Sequence, residues 1–165
     1  MTAVRFHYQG GPTALLELAG MRLLTDPTFE PPDDHPIGER LLSKTQVPAL
    51  TPDALRRVDA ILLPHDQHPD NLGRLGRELL FTMPTVPSTE AAAKRLGRPV
   101  HGLANWHRVQ LQRADGIAPE VIGVAALHGP ESTDNGGPLQ SASRLRKTPS
   151  LPLPARGILH AGVAR

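Results

Sequence analysis

No cysteine occurs among the 165 residues, so disulfides, zinc ribbons and thiol nucleophiles are excluded. Aromatic residues are almost as scarce: one Trp, one Tyr and three Phe leave no stacking platform of the kind that single-stranded nucleic acid needs. No stretch approaches the roughly 18 apolar residues of a membrane span. The opening segment MTAVRFHYQGGPTALLELAG has no basic stretch leading into an apolar run and a small-residue cleavage site. The expectation is a soluble, cytoplasmic protein with no membrane partner and one main domain. What the chain does have in quantity is proline, 18 residues of it, and glycine, 15.

The sequence pI of about 9.5 invites a nucleic-acid reading, but the charge is in the wrong place. From Gly129 onward, Arg144, Arg146, Lys147, Arg156 and Arg165 face only Glu131 and Asp134. That segment carries +3 and the preceding 128 residues carry −1. The body of the protein is not basic, so no nucleic-acid partner is expected.

Residues 3–8, AVRFHY, and 13–18, TALLEL, flank QGGP and read as two strands joined by a turn. The GGP at 10–12 is a hairpin turn and not a phosphate cradle, since no helix follows it. A third strand over 21–29 is closed by TDP, because Pro27 cannot continue a ladder. The prolines at 31, 32, 36, 48 and 52 predict a long irregular excursion over 30–53. Within RRVDAILLP (56–64) the unbroken apolar run Ala60–Leu63 suits a strand buried on both faces. Leucines at 72, 75, 79 and 80 have helical spacing, with Asp70 or Asn71 as candidate caps. PTVPS followed by TEAAAKRLG reads as a strand and then a helix, which Ser88 or Thr89 can cap and Gly97 can end. HGLANWHRVQLQ and PEVIGVAALHG supply further strands. The order is α/β with a mixed sheet. The last 37 residues, with five prolines and no aromatic, read as an irregular tail.

The stretch ILLPHDQHPDNLG (61–73) carries the functional question. A metal ion needs imidazoles or carboxylates converging from a rigid support, with an open position for water. His65, His68 and Asp70 follow one buried strand and His128 follows another, and two loops leaving the same sheet edge could bring the four together. The competing reading is a wet turn, since HPDN is good turn and cap chemistry. His7, His35, His101 and His107 are isolated and read as solvated or packed, and Trp106 as a core or sheet residue or the wall of a pocket.

The segments LLTDPTF, VDAILLPHDQHPDNLG, GLANWHRVQL and VIGVAALHGPE, taken in order over residues 3–131, resemble the metallo-β-lactamase-fold hydrolases. The branch they are most similar to holds ascorbate-6-phosphate lactonase-like proteins. The resemblance implies the N-terminal portion of an αββα sandwich with a mixed sheet (residues 1–131), followed by the irregular basic Pro-rich tail (132–165). It implies one divalent metal, zinc or manganese, held by His65, His68, Asp70 and His128. Asp70 would orient a metal-bound hydroxide that attacks a lactone, ester or phosphoester in a small-molecule substrate. Asp26, Asp66, Gln67 and Asn71 would be supporting residues or weak ligands. The family motif is His-x-His-x-Asp-His, and here the loop is one residue longer, so Gln67 or His68 takes the second place. Read from the right, Asp66 replaces the first histidine, and Asn71 stands where the last belongs. The family's later aspartate loop and final histidine have no match, since Asp134 is too near His128 and His160 lacks a strand context. The alternative expectation is a truncated or frameshifted, non-catalytic remnant that self-associates through an uncovered sheet face.

Overall fold

The computed structural model describes residues 4–112, 119–126 and 140–147. Three antiparallel strands open it: β1 (Val4–Gly10), β2 (Thr13–Leu18) and β3 (Met21–Thr25). A hairpin of β4 (Asp33–Ile37) and β5 (Arg40–Lys44) follows, then a single 3-10 turn, Asp53–Leu55, and β6 (Ala60–Leu62). Helix α1 (Arg74–Leu80), β7 (Val86–Ser88), helix α2 (Glu90–Leu96) and β8 (Val100–Gly102) alternate after it. The described residues end with β9 (Arg108–Gln110), β10 (Pro119–Ala126) and β11 (Gln140–Lys147).

The main sheet has the order β1-β2-β3-β6, antiparallel except for the parallel β3–β6 pair. It continues through a parallel bridge from Leu63 to Ser88 into the parallel β7–β8 pair. The second sheet, β11-β10-β9, is antiparallel.

Side-chain alternation along the central strands explains why two cores form. A pleated strand sends successive side chains to opposite faces. Leu15, Leu24, Ile61 and Leu63 point into one core with Phe29, Leu72, Leu80, Val86 and Val100, against which Leu75, Leu79, Ala93 and Leu96 of the two helices pack. Leu16, Leu23, Ala60 and Leu62 point into the other, with Met21, Leu103, Leu111 and Val121. The run Ala60–Leu63 is therefore divided residue by residue between helices on one side and the second sheet on the other. Burying all four apolar side chains at once requires the two-layer cover that the sequence implied.

Two glycines set how closely the layers approach. A Cβ on Gly76 of α1 would collide with the Pro27 carbonyl oxygen, so α1 rests directly on the backbone that leaves β3. A Cβ on Gly123 of β10 would lie 2.8 Å from the Ala104 carbonyl oxygen, so β10 likewise lies against the chain after β8.

Four elements differ from expectation. Part of the 30–53 excursion is the β4–β5 hairpin, turned at Gly38 with φ 59. Pro36 is tolerated because the pair has only two strands, where a missing amide donor leaves no inner ladder broken. Helix α1 is capped by neither Asp70 nor Asn71: its N-cap is Gly73, and the Leu75 amide donates to Glu30 Oε1 at 2.8 Å. Eight residues of the segment read as an irregular tail, Gln140–Lys147, form β11 against β10. Trp106 is not a core residue but 64% exposed.

On the edge strand β1, Val4, Phe6 and Tyr8 stand opposite Leu18, Leu16 and Ala14 and share their face, yet all three are exposed. Among the described residues no helix is long and apolar enough to cross a membrane.

Candidate functional site

Strands β3, β6, β7 and β8 run parallel, so their C-terminal ends share one edge of the sheet. Residues leaving such an edge are carried by the strands but free of the ladder, which is where open α/β sheets place their chemistry. Asp26 leaves β3, the His65–Leu72 loop leaves β6, Ser88 ends β7, and the Leu103–His107 segment leaves β8.

Asp26 is held by three contacts. Its backbone adopts φ 36, in the left-handed region that non-glycine residues seldom enter. Its amide donates to the Leu62 carbonyl at 3.3 Å, and its own carbonyl accepts from Thr13 Oγ1 at 2.6 Å. Asn71 Nδ2 donates to Asp26 Oδ1 at 3.3 Å. Burial pushes the Asp26 carboxyl up to about 8; the Asn71 hydrogen bond opposes this and the negative charge of Asp70 adds to it.

The loop after β6 folds back on itself, with the Asn71 and Leu72 amides both donating to the His68 carbonyl at 3.0 and 3.1 Å. His65 is buried, and its ring meets that of the half-buried His68 edge to face, with centroids 4.6 Å apart. Gln67 lies half-buried between them in sequence. Asp70 Oδ1 is buried and receives no hydrogen bond from the described residues. A buried carboxylate oxygen in that condition is costly unless something positive reaches it.

Asp66 has a different fate. Arg95 Nε donates to Oδ2 at 2.9 Å and Arg95 Nη2 to Oδ1 at 2.5 Å, a bidentate pair with Asp66 almost fully buried. Burial alone would raise the Asp66 carboxyl; the hydrogen bonds and charge of Arg95, with the neighbouring His65, outweigh it and hold Asp66 below the usual carboxylate range. Each oxygen thereby accepts one hydrogen bond from Arg95, which fits Asp66 to the supporting role. Arg95 was not singled out in the sequence. Its only signal there was a basic residue in the last turn of a helix, which suggests a dipole contact and nothing more.

The sequence-derived candidates thus fall into three groups. His65, His68 and Asp70 share one loop, and Asn71 ties that loop to Asp26. Asp66 and Gln67 lie within it, the first turned toward α2. His128 lies outside the described residues. The loop supplies metal donors in kind, two imidazoles and one carboxylate oxygen that no described residue satisfies. Among the described residues, however, no group of three or more His, Asp or Glu is placed to hold a metal ion. The isolated histidines are peripheral: His7, His101 and His107 are exposed, and His35 is half-buried on the β4–β5 hairpin.

No protein-family model matches the chain, and no curated protein matches it. Solved structures do. Igni18, a novel metallo hydrolase from the archaeon Ignicoccus hospitalis, is similar with a TM-score of 0.57 and 21% identity, over 89% of this chain and 57% of its own. A protein described as a possible metal-dependent hydrolase, from Veillonella parvula, gives 0.63 and 16%, over 89% and 59%. An isothiocyanate hydrolase from Delia radicum gut bacteria gives 0.60 and 16%, over 87% and 57%. The chain thus spans somewhat under three fifths of the length of each. Over that length it shares the mixed α/β fold of these solved structures.

Proposed function

We propose that this chain carries the metal-binding loop of a metal-dependent hydrolase, acting on a small-molecule lactone, ester or phosphoester in the manner of the ascorbate-6-phosphate lactonase-like branch. The observation that carries the reading is the loop at the C-terminal end of β6. It brings two histidine rings into contact and also carries Asp70, whose buried Oδ1 receives no hydrogen bond from the described residues. His65, His68 and His128 would hold one zinc or manganese ion with Asp70. A bound ion of this kind polarises a substrate oxygen and lowers the pKa of a water to about 7. The protein's own part is to hold the donors. Asn71 bonds to Asp26 and fixes the end of the loop next to Asp70, and Asp26 in turn is seated by Thr13.

The test is metal analysis of the purified chain beside a His65→Ala, His128→Ala double variant, with circular dichroism to confirm that both fold. Wild type is expected to hold close to one ion per chain and the variant a small fraction of that. Equal contents would remove these residues from the site. A hydrolase screen with lactones, carboxyl esters and phosphoesters, in zinc and in manganese, then assigns the substrate class.

A second reading, a non-catalytic chain of the same fold, is favoured by Asn71. Where the family motif has a histidine, this residue is committed to Asp26 and offers an amide, a poor zinc ligand. One ion bound with no turnover in any arm of the screen would select it.

A further inference from the structure

We propose that Arg95 is a positioning residue: with Arg77 it latches the Asp66 peptide to the two helices and thereby fixes the direction in which His65 and His68 are presented. The proposal rests on the metal-site reading above and adds to it a residue outside the family motif.

The chain entering the loop is already fixed upstream. The Leu63 amide donates to the Pro87 carbonyl at 3.0 Å, and Ser88 Oγ donates to the Leu63 carbonyl at 2.6 Å. Pro64 follows, its own φ locked by its ring. Downstream of His65, Asp66 is held at both ends. Arg95 of α2 takes its carboxylate in a two-pronged grip, and Arg77 Nη2 of α1 donates to its carbonyl at 3.0 Å. The chain on both sides of His65 is therefore pinned, at Leu63 from β7 and at Asp66 from α1 and α2.

Stability alone does not account for this arrangement. Asp66 is buried while the Arg95 side chain is 40% exposed, so desolvation of the carboxylate offsets much of the attraction and the pair adds little net stability. What a bidentate guanidinium–carboxylate pair does supply is a fixed orientation. Asp66 directly follows His65 and precedes His68 by two positions, so its orientation sets theirs. Partners of this kind behind metal ligands typically govern metal affinity by 10- to 100-fold.

The experiment uses the full chain as wild type, R95A, R95K and the double variant D66N/R95Q. R95A leaves a buried carboxylate without its cation, whereas D66N/R95Q removes both charges and keeps a polar pair of similar size. Amide hydrogen exchange is measured without metal at Asn71 and Leu72, with Leu16 and Leu23 in the main sheet as references. Zinc affinity is measured by competition with a chromophoric chelator. R95A and D66N/R95Q are expected to speed exchange at Asn71 and Leu72 at least about tenfold over the references, and to weaken zinc binding by about tenfold or more. R95K keeps the charge but loses the fork, and is expected to recover only part of either effect. The proposal is overturned if loop and reference amides respond equally, if the loop does not respond, or if R95A holds zinc as tightly as wild type. A wild-type chain that takes up no zinc, with a selective loop response, overturns the metal reading and leaves the latch standing.

Discussion

Replacing Asp26 with asparagine should make the protein more stable than wild type at alkaline pH. The carbonyl oxygen of the new side chain can still accept the Asn71 hydrogen bond, and what disappears is the capacity to ionise in a buried site. The Asp26 carboxyl lies at about 8 in the folded chain, against an ordinary value of 3.8. Between these values the native state keeps a proton that the unfolded state has released. Stability then falls as pH rises through the window, by at most about 1.4 kcal/mol per pH unit. From pH 5 to pH 8 the loss is of order 4 kcal/mol, a large share of a domain's typical 5–15 kcal/mol. The assay is urea unfolding followed by far-ultraviolet circular dichroism at pH 5, 6, 7, 8 and 9, at constant ionic strength with a chelator present. Histidines titrate in the same range, but they are common to both proteins. The difference between the two curves therefore isolates Asp26. Wild type should lose ground to Asp26→Asn steadily from pH 5 to 8 and level off above. A difference that stays constant across the series means that Asp26 is ionised throughout, and the burial argument fails.

Two further outcomes follow from packing and capping. Gly76→Ala places a methyl group against the Pro27 carbonyl oxygen, a backbone atom that cannot swing aside, so α1 must lift from the sheet. The expected loss is about 1–3 kcal/mol in urea unfolding, against the gain of a few tenths to one that the same change brings in an unobstructed helix. Thr89→Ala removes the side chain that accepts the Ala92 amide at 3.1 Å at the start of α2, and should cost about 1 kcal/mol with little change in the unfolding slope.

What could be seen in the sequence was whatever depends on neighbours along the chain. The AILL run announced a strand covered on both faces, and its residues do divide between two cores. The α2 boundaries, with Thr89 as cap and Gly97 at the end, were likewise written locally. Features made by distant residues were not visible. The N-terminus of α1 is satisfied by Glu30, 45 positions away from Leu75, so the nearer Asp70 and Asn71 looked like the natural caps. The grip of Arg95 on Asp66 spans 29 positions and leaves no periodic trace. The β4–β5 hairpin was hidden by prolines that an isolated two-stranded pair tolerates, although Gly38 between Ile37 and Arg40 was a usable turn signal. For the site, the clustering of polar residues after β6 was plain from residue order. The turning of Asp66 toward α2 and of Asn71 toward Asp26 needed three dimensions.

Trp106 has a practical consequence. It is the sole indole of the chain, and it stands 64% exposed on the segment after β8, with its amide donating to the Gly123 carbonyl at 2.7 Å. At that exposure its native emission is expected to be that of a largely hydrated fluorophore, with little wavelength shift on unfolding. Intrinsic fluorescence is accordingly a poor thermometer for this protein and a selective optical probe of one sheet edge. A quencher that docks beside the β8 terminus dims the whole signal, with no second tryptophan to dilute the response.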